Sequence, residues 1–189
     1  MNILKLAFAG ALLLASVLGN AFAQAKDYLT IQLKDGPVVI ELASDVAPKH
    51  VARLKELAEA GEYNNVAFHR VIPGFMAQTG DVQYGNMEKD FQAGMAGMGG
   101  SSKPDLEAEF SEVPFARGTV GMARSQDPNS ANSQFFIMFA PGDFLNGQYT
   151  VVGQVVEGME NVDKIKMGDE ANNGSVTDPD RMISVKVGK

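Results

Sequence analysis

Short runs of period-two hydrophobicity separated by turn residues constrain this chain more than any other feature. Leu29, Ile31 and Leu33 alternate with Thr30 and Gln32, Asp35-Gly36 supplies a tight turn, and Val38, Ile40 and Leu42 alternate again. Alternation puts one face of each run in a core and the other toward solvent, which predicts an antiparallel hairpin. Residues 66–79, 119–123, 134–139 and 150–156 are rich in β-branched and aromatic side chains and are predicted strands, and Ile183, Val185 and Val187 alternate in a last one. The period turns helical twice. Pro48 suits a first turn, Val51, Leu54 and Leu57 recur at helical spacing, and Gly61 closes the segment; Met159, Val162 and Ile165 mark a second helix. About eight strands and two helices predict a mainly β protein, a closed barrel capped at its ends. Residues 81–104 and 168–180 keep no steady period and are expected as long surface loops.

Residues 1–23 carry a single lysine, Lys5, then an apolar run over 6–18, then small residues at Ala21 and Ala23. Those are the three parts of a secretory signal peptide cleaved after Ala23. The run is shorter than the ~20 residues a membrane span needs, so no membrane insertion is expected. The expectation is an exported protein, periplasmic or secreted, with one domain over 24–189. Loss of Lys5 makes the formal charge of −7 one unit more negative, and an acidic surface repels phosphate backbones, so nucleic acid is set aside as a partner. The absence of cysteine removes disulfides, thiolate nucleophiles and thiolate metal sites together. No heptad seam or long apolar edge is visible, and a monomer is expected.

The chemistry concentrates in three segments. FHRVIPGFMAQTGD, residues 68–81, interleaves His69, Arg70 and Gln78 with Phe75 and Met76. An arginine in so apolar a strand must be paired or must serve a ligand, because unpaired burial is costly; ligand use is the reading adopted. ARSQDPNSANSQFFIMF, residues 123–139, adds Gln134, Phe135 and Phe136 after a polar turn, and FLNGQYTVVG, residues 144–153, adds Phe144, Leu145 and Tyr149. Core packing explains each aromatic alone. Their number beside one arginine points to a pocket.

Other chemistries fit poorly. His50 and His69 are the only histidines and lack metal-ligand spacing; His50, in a first helical turn, is expected to be solvated. Residues 169–180 have glycine where a calcium loop needs it, but Ala171 takes a ligand position and Asp180 replaces the bidentate glutamate. GMAGMGG, residues 94–100, lacks the context of a phosphate loop and is expected to be a flexible rim. Ser125, Ser130 and Ser133 sit in a polar turn without a nucleophile elbow.

The strings FHR…PGFM.Q.GD and SQFFI, in order and at fitting separation, resemble the cyclophilin family over nearly all of 24–189. The resemblance implies an eight-stranded antiparallel barrel closed by two helices, peptidyl-prolyl cis/trans isomerase activity and no metal or other cofactor. It makes Arg70 the catalytic residue, Gln78 its orienting partner, and Phe75, Met76, Phe136 and Leu145 the proline pocket, with His69 lining the same site. Ala123 and Arg124 match the strand that holds the substrate backbone, Gln134 a polar wall residue, and Gly97 a glycine of the rim loop. The common eukaryotic form has tryptophan where Phe144 stands and histidine where Tyr149 stands. Both count among the substrate-binding positions, and Phe144 implies at most weak cyclosporin binding. Arg124 replaces a frequent asparagine and is tolerated if its contact runs through the backbone. The implied substrates are proline-containing polypeptides, above all unfolded exported proteins. A non-catalytic chaperone or peptide-binding module is the alternative, and the intact Arg70 argues against it.

Such a reaction suits these residues. An X-Pro bond rotates over a barrier of roughly 18–20 kcal/mol with no covalent bond broken, so neither nucleophile nor metal is required. A turnover near 10³ s⁻¹ corresponds to roughly 13 kcal/mol, which leaves about 5–7 kcal/mol for the site to remove. In the twisted state the prolyl nitrogen gains a lone pair that a guanidinium can hydrogen-bond, a contact the planar amide does not reward equally.

Overall fold

A computed structural model describes residues 26–89 and 91–189, and the expected signal peptide lies outside them. The N-terminal hairpin forms as its alternation dictates: β1 (Tyr28–Leu33) pairs antiparallel with β2 (Gly36–Leu42), setting Leu29 opposite Ile40 and Ile31 opposite Val38. All four are buried. Helix α1 (Pro48–Glu59) lays Val51, Leu54 and Leu57 on the same core. The run expected over 66–79 is three short strands, β3 (Val66–Ala67), β4 (Arg70–Ile72) and β5 (Met76–Thr79). Pro73-Gly74, with Gly74 at φ 69°, turns β4 back onto β5. Then follow β6 (Thr119–Met122), β7 (Phe135–Met138), β8 (Val151–Glu157) and the single-turn helix α2 (Met159–Val162). The last alternating run divides into β9 (Arg181–Met182) and β10 (Ser184–Val187), leaving Ile183 exposed at the break.

Eight strands form one antiparallel sheet in the order β10-β1-β2-β8-β6-β7-β5-β4, while β3 and β9 pair separately. The closed barrel expected from the strand count is corrected here: edge strands β4 and β10 do not pair with each other, and the sheet is an open half-barrel. The reason lies in β4, whose outer side is already met by residues 168–176. Val71 N–H donates to Gly174 O at 2.8 Å, Gly168 N–H to Val71 O at 2.9 Å, and Val176 N–H to the neighbouring His69 O at 3.2 Å. A loop therefore occupies the β4 edge that β10 would have had to join to close the barrel.

His50, expected to be solvated, is fully buried. Helix α1 has Ala47 at its N-cap and no side-chain cap of its own. Glu109 supplies one from a distant part of the chain, accepting from Lys49 N–H and His50 N–H at 3.1 Å each and meeting His50 Nδ1 at 2.7 Å. A carboxylate at that end also complements the helix dipole. Burial raises the Glu109 carboxyl, but the bonds from the His50 ring and the two amides outweigh it and its pKa falls below the usual value. A depressed carboxyl stabilises the fold above its unfolded pKa and loses that contribution as pH drops through the folded one. Glu109→Ala is expected to lower unfolding stability by about 1–3 kcal/mol in urea at neutral pH. The gap from the parent protein should close as pH falls below the carboxylate range.

Candidate active site

Registration across five strands builds the site. Arg70 on β4 faces Gln78 on β5, Gln78 faces Phe136 on β7, Phe136 faces Gly121 on β6, and Gly121 faces Val151 on β8. Directly opposed residues share a face, so one row of the sheet carries the arginine, its amide and an aromatic floor. Gly121 must be small: a Cβ there would lie 2.5 Å from Phe115 Cε1 and 2.6 Å from Phe136 Cζ. Its absence lets those rings stack at 5.7 Å between centroids.

Over this row opens a pocket of about 280 Å³. Phe75, Met76, Phe136 and Leu145 form its apolar wall, and Arg70 and Gln78 enter from one side. Phe144 stands 65% exposed at the mouth, tilted against Phe75 at 5.4 Å between ring centroids. Tyr149 packs edge-on to Phe136 at 6.0 Å. A second cleft of about 500 Å³ adjoins the pocket and shares Gln78, Ala123 and Arg124 with it; Gln134 and Gly97 line this cleft.

The guanidinium of Arg70 meets neutral acceptors. Nη1 donates to Gln78 Oε1 at 3.1 Å, Nε to Asn173 O at 3.0 Å and Nη2 to Asn173 Oδ1 at 2.9 Å. Burial pushes its pKa below the usual arginine value while Tyr149 pulls it up, and the group stays charged at any working pH. Gln78 is itself held, because its Nε2 donates to Gln134 Oε1 at 3.0 Å. Gln134 Nε2 donates in turn to Gly97 O at 2.9 Å and Gly99 O at 2.7 Å. Beneath that loop lies Asp81, fully buried, accepting from Gly97 N–H and Gly99 N–H through one oxygen and from Gln83 N–H and Tyr84 N–H through the other. Residues 97–99, expected to be part of a flexible rim, are thus tied to a buried carboxylate.

His69 departs from expectation. Neighbouring residues of an extended segment point to opposite sides, and with Arg70 turned into the pocket His69 turns away from it and does not line it. It is buried beneath Gly97, where a Cβ would come within 2.8 Å of His69 Cδ2; glycine at φ 100° is what fits there. Burial lowers the pKa of His69, with the Asp81 carboxylate opposing. Arg124 also differs, since its side chain does more than its backbone. It donates to Ser125 O at 2.8 Å and Gln148 O at 2.9 Å and lies 4.3 Å over the Tyr149 ring, fastening the two segments that meet at the pocket rim. Sequence reasoning missed Asn173, whose only signal was an Asn-Gly pair in a loop, and Asp81, present in the first motif without a role.

The site is thus an apolar pocket with a fixed, charged hydrogen-bond donor at its side. The family described as "Cyclophilin type peptidyl-prolyl cis-trans isomerase/CLD" matches residues 28–187. The chain is 59% identical over 191 residues to the "Probable peptidyl-prolyl cis-trans isomerase" of Brucella suis, covering 99% of this chain and 97% of that one. It is 38% identical over 147 residues to "Peptidyl-prolyl cis-trans isomerase B" of Escherichia coli, covering 73% and 83%. Among solved structures, the cyclophilin-type isomerase of Cryptosporidium parvum crystallised in the presence of the dipeptide Ala-Pro superposes with a TM-score of 0.69 at 26% identity, covering 86% of this chain and 99% of that one. The chain belongs to the cyclophilin-type peptidyl-prolyl cis-trans isomerases. It is an enzyme of rotation about X-Pro bonds.

Asp81 has a specific consequence. An amide in its place must turn an NH₂ toward backbone N–H groups, so Asp81→Asn is expected to cost about 1–3 kcal/mol in urea unfolding. Hydrogen exchange at the Gly97 and Gly99 amides should accelerate in the same variant.

Proposed function

We propose that Arg70 is the group that lowers the rotation barrier, in a pocket where Phe75, Met76, Phe136 and Leu145 grip the proline ring and Gln78 orients the guanidinium. The observation that carries this reading is the Arg70 hydrogen-bond set: Gln78 and Asn173 hold three of its nitrogens at neutral acceptors. A carboxylate partner would have neutralised the charge and competed with the substrate. Neutral acceptors fix the geometry and leave the charge for the pyramidal prolyl nitrogen. The interaction strengthens as the amide twists, which is the condition for raising turnover rather than mere affinity. Phe144 at the mouth and the backbone of Ala123 and Arg124 beside it are positioned to receive the chain on either side of the proline. Proline-containing polypeptides in extended form are the substrates, and the large exposed area of Phe144 favours unfolded chains over folded ones.

Rotation of an Ala-Pro peptide should be accelerated by the protein and slowed by about 10²- to 10³-fold in kcat/KM by Arg70→Ala. Arg70→Lys should fail to restore it, because an ammonium cannot use both the Gln78 and Asn173 acceptors as a planar fork does. Undiminished acceleration by Arg70→Ala would remove the assignment.

We also infer export to the periplasm or beyond, supported by the three-part pattern of residues 1–23, which would make unfolded exported proteins the clients. Mass spectrometry of the exported fraction should find Gln24 as the first residue, and an intact Met1 there would overturn this reading.

A further inference from the structure

Residues 168–176 form a loop built with more structure than a surface connection needs. Asp169 caps a short turn over Glu170–Asn172, its carboxylate accepting from Ala171 N–H at 3.0 Å, and Gly174 N–H returns to Asp169 O at 2.8 Å. Main-chain bonds from Gly168 and Gly174 fasten the loop to Val71, the residue beside Arg70. The turn ends on Asn173 in the left-handed region at φ 55°. Glycine is the ordinary occupant of such a position, since it has no Cβ to strain. Asparagine is the commonest non-glycine occupant, so the turn accommodates the carboxamide and Arg70 gives it a use: Nη2 donates to Asn173 Oδ1 at 2.9 Å and Nε to Asn173 O at 3.0 Å.

Both contacts lie along one edge of the guanidinium, and Gln78 takes Nη1 from another direction at 3.1 Å. A single acceptor would leave the planar group free to rock about its long stem. The Asn173 carbonyl and Gln78 hold Nε and Nη1, and Asn173 Oδ1 fastens the remaining nitrogen, Nη2, so that the plane and the direction of the N–H bonds left for substrate are set at all three. We propose that Asn173 is a positioning residue for the isomerase reaction, aligning Arg70 with the prolyl nitrogen of the twisted peptide through its side-chain oxygen. The proposal rests on Arg70 being the catalytic group. A misaligned donor harms the transition state, where the new lone pair is directional, more than the planar ground state.

Asn173→Gly tests this cleanly, because it keeps the left-handed turn and the backbone carbonyl and deletes only the side-chain acceptor. With an Ala-Pro peptide, kcat should fall about five- to tenfold, as for loss of one partly exposed charge-assisted bond, and KM should stay within about twofold. Asn173→Asp tolerates the turn but sets a carboxylate against Arg70 Nη2, so it should hold the guanidinium while neutralising it and stay well below the parent turnover. Thermal unfolding of both variants should match the parent closely. A full kcat in Asn173→Gly or a change confined to KM would each overturn the proposal, and an Asn173→Asp protein as fast as the parent would overturn the neutral-acceptor reading on which it rests. Arg70→Ala measured beside them separates the two assignments: if it loses turnover and Asn173→Gly does not, only the role of Asn173 fails. If Arg70→Ala keeps turnover, both fail.

Discussion

Setting a guanidinium beside Phe75, Met76 and Phe136 strips water from it, and every N–H so stripped needs a replacement acceptor. Much of the architecture around the pocket answers that requirement. Gln78 accepts from Arg70 only if its NH₂ faces Gln134, and Gln134 accepts only if its own NH₂ faces Gly97 O and Gly99 O. Two glycine carbonyls therefore set the orientation of both amides, and Asp81 sets the carbonyls. Hydrogen bonds in such a chain point one way and polarise one another. The charge at one end is a guanidinium in a pocket, and the charge at the other is a carboxylate in the interior, with no direct ion pair between them.

That chain was partly legible in the sequence. A Pro-Gly turn between two β-prone stretches puts Arg70 and Gln78 opposite each other, since four residues on either side of a tight reversal fall into register. The aromatic wall could be anticipated from the number of phenylalanines near one arginine, and a family resemblance supplied the grouping into a site. What could not be read was any contact that depends on how loops return. Arg70 to Asn173, His50 to Glu109 and Asp81 to Gly97 are fixed by the path of irregular segments, for which periodicity carries no signal. His50 illustrates the failure: placement in a first helical turn suggested solvent, but the turn is buried under a strap that brings its own carboxylate.

The open edge of the sheet has the same origin. Strand count gives the number of elements in a layer and says little about whether the first and last will meet, because closure depends on strand length and stagger. Here β4 is too short to offer a full ladder, and residues 168–176 occupy it. The loop that covers the edge is also the loop that reaches Arg70, so sheet termination and active-site geometry are solved by one segment.

Strand β1 pairs on one side with β2, its immediate neighbour in sequence, and on the other with β10, where Leu29 meets Val187 and Ile31 meets Val185. Gly188 N–H donates to Tyr28 O at 2.8 Å, so the two ends of the domain leave the sheet side by side. Pairing on one whole side of the first strand therefore waits for residues 184–187, far along the chain. A chain emerging from its N-terminus can assemble the hairpin and α1 early, yet the Glu109 cap, the Asn173 contact and the β10 margin of the sheet arrive in that order as synthesis proceeds. Such long-range closure predicts slow, late acquisition of the native state relative to helical proteins of equal size. Arg70 is thus among the last side chains to reach its final geometry, and a nascent chain holds the pocket beside it incomplete until its own folding is nearly finished.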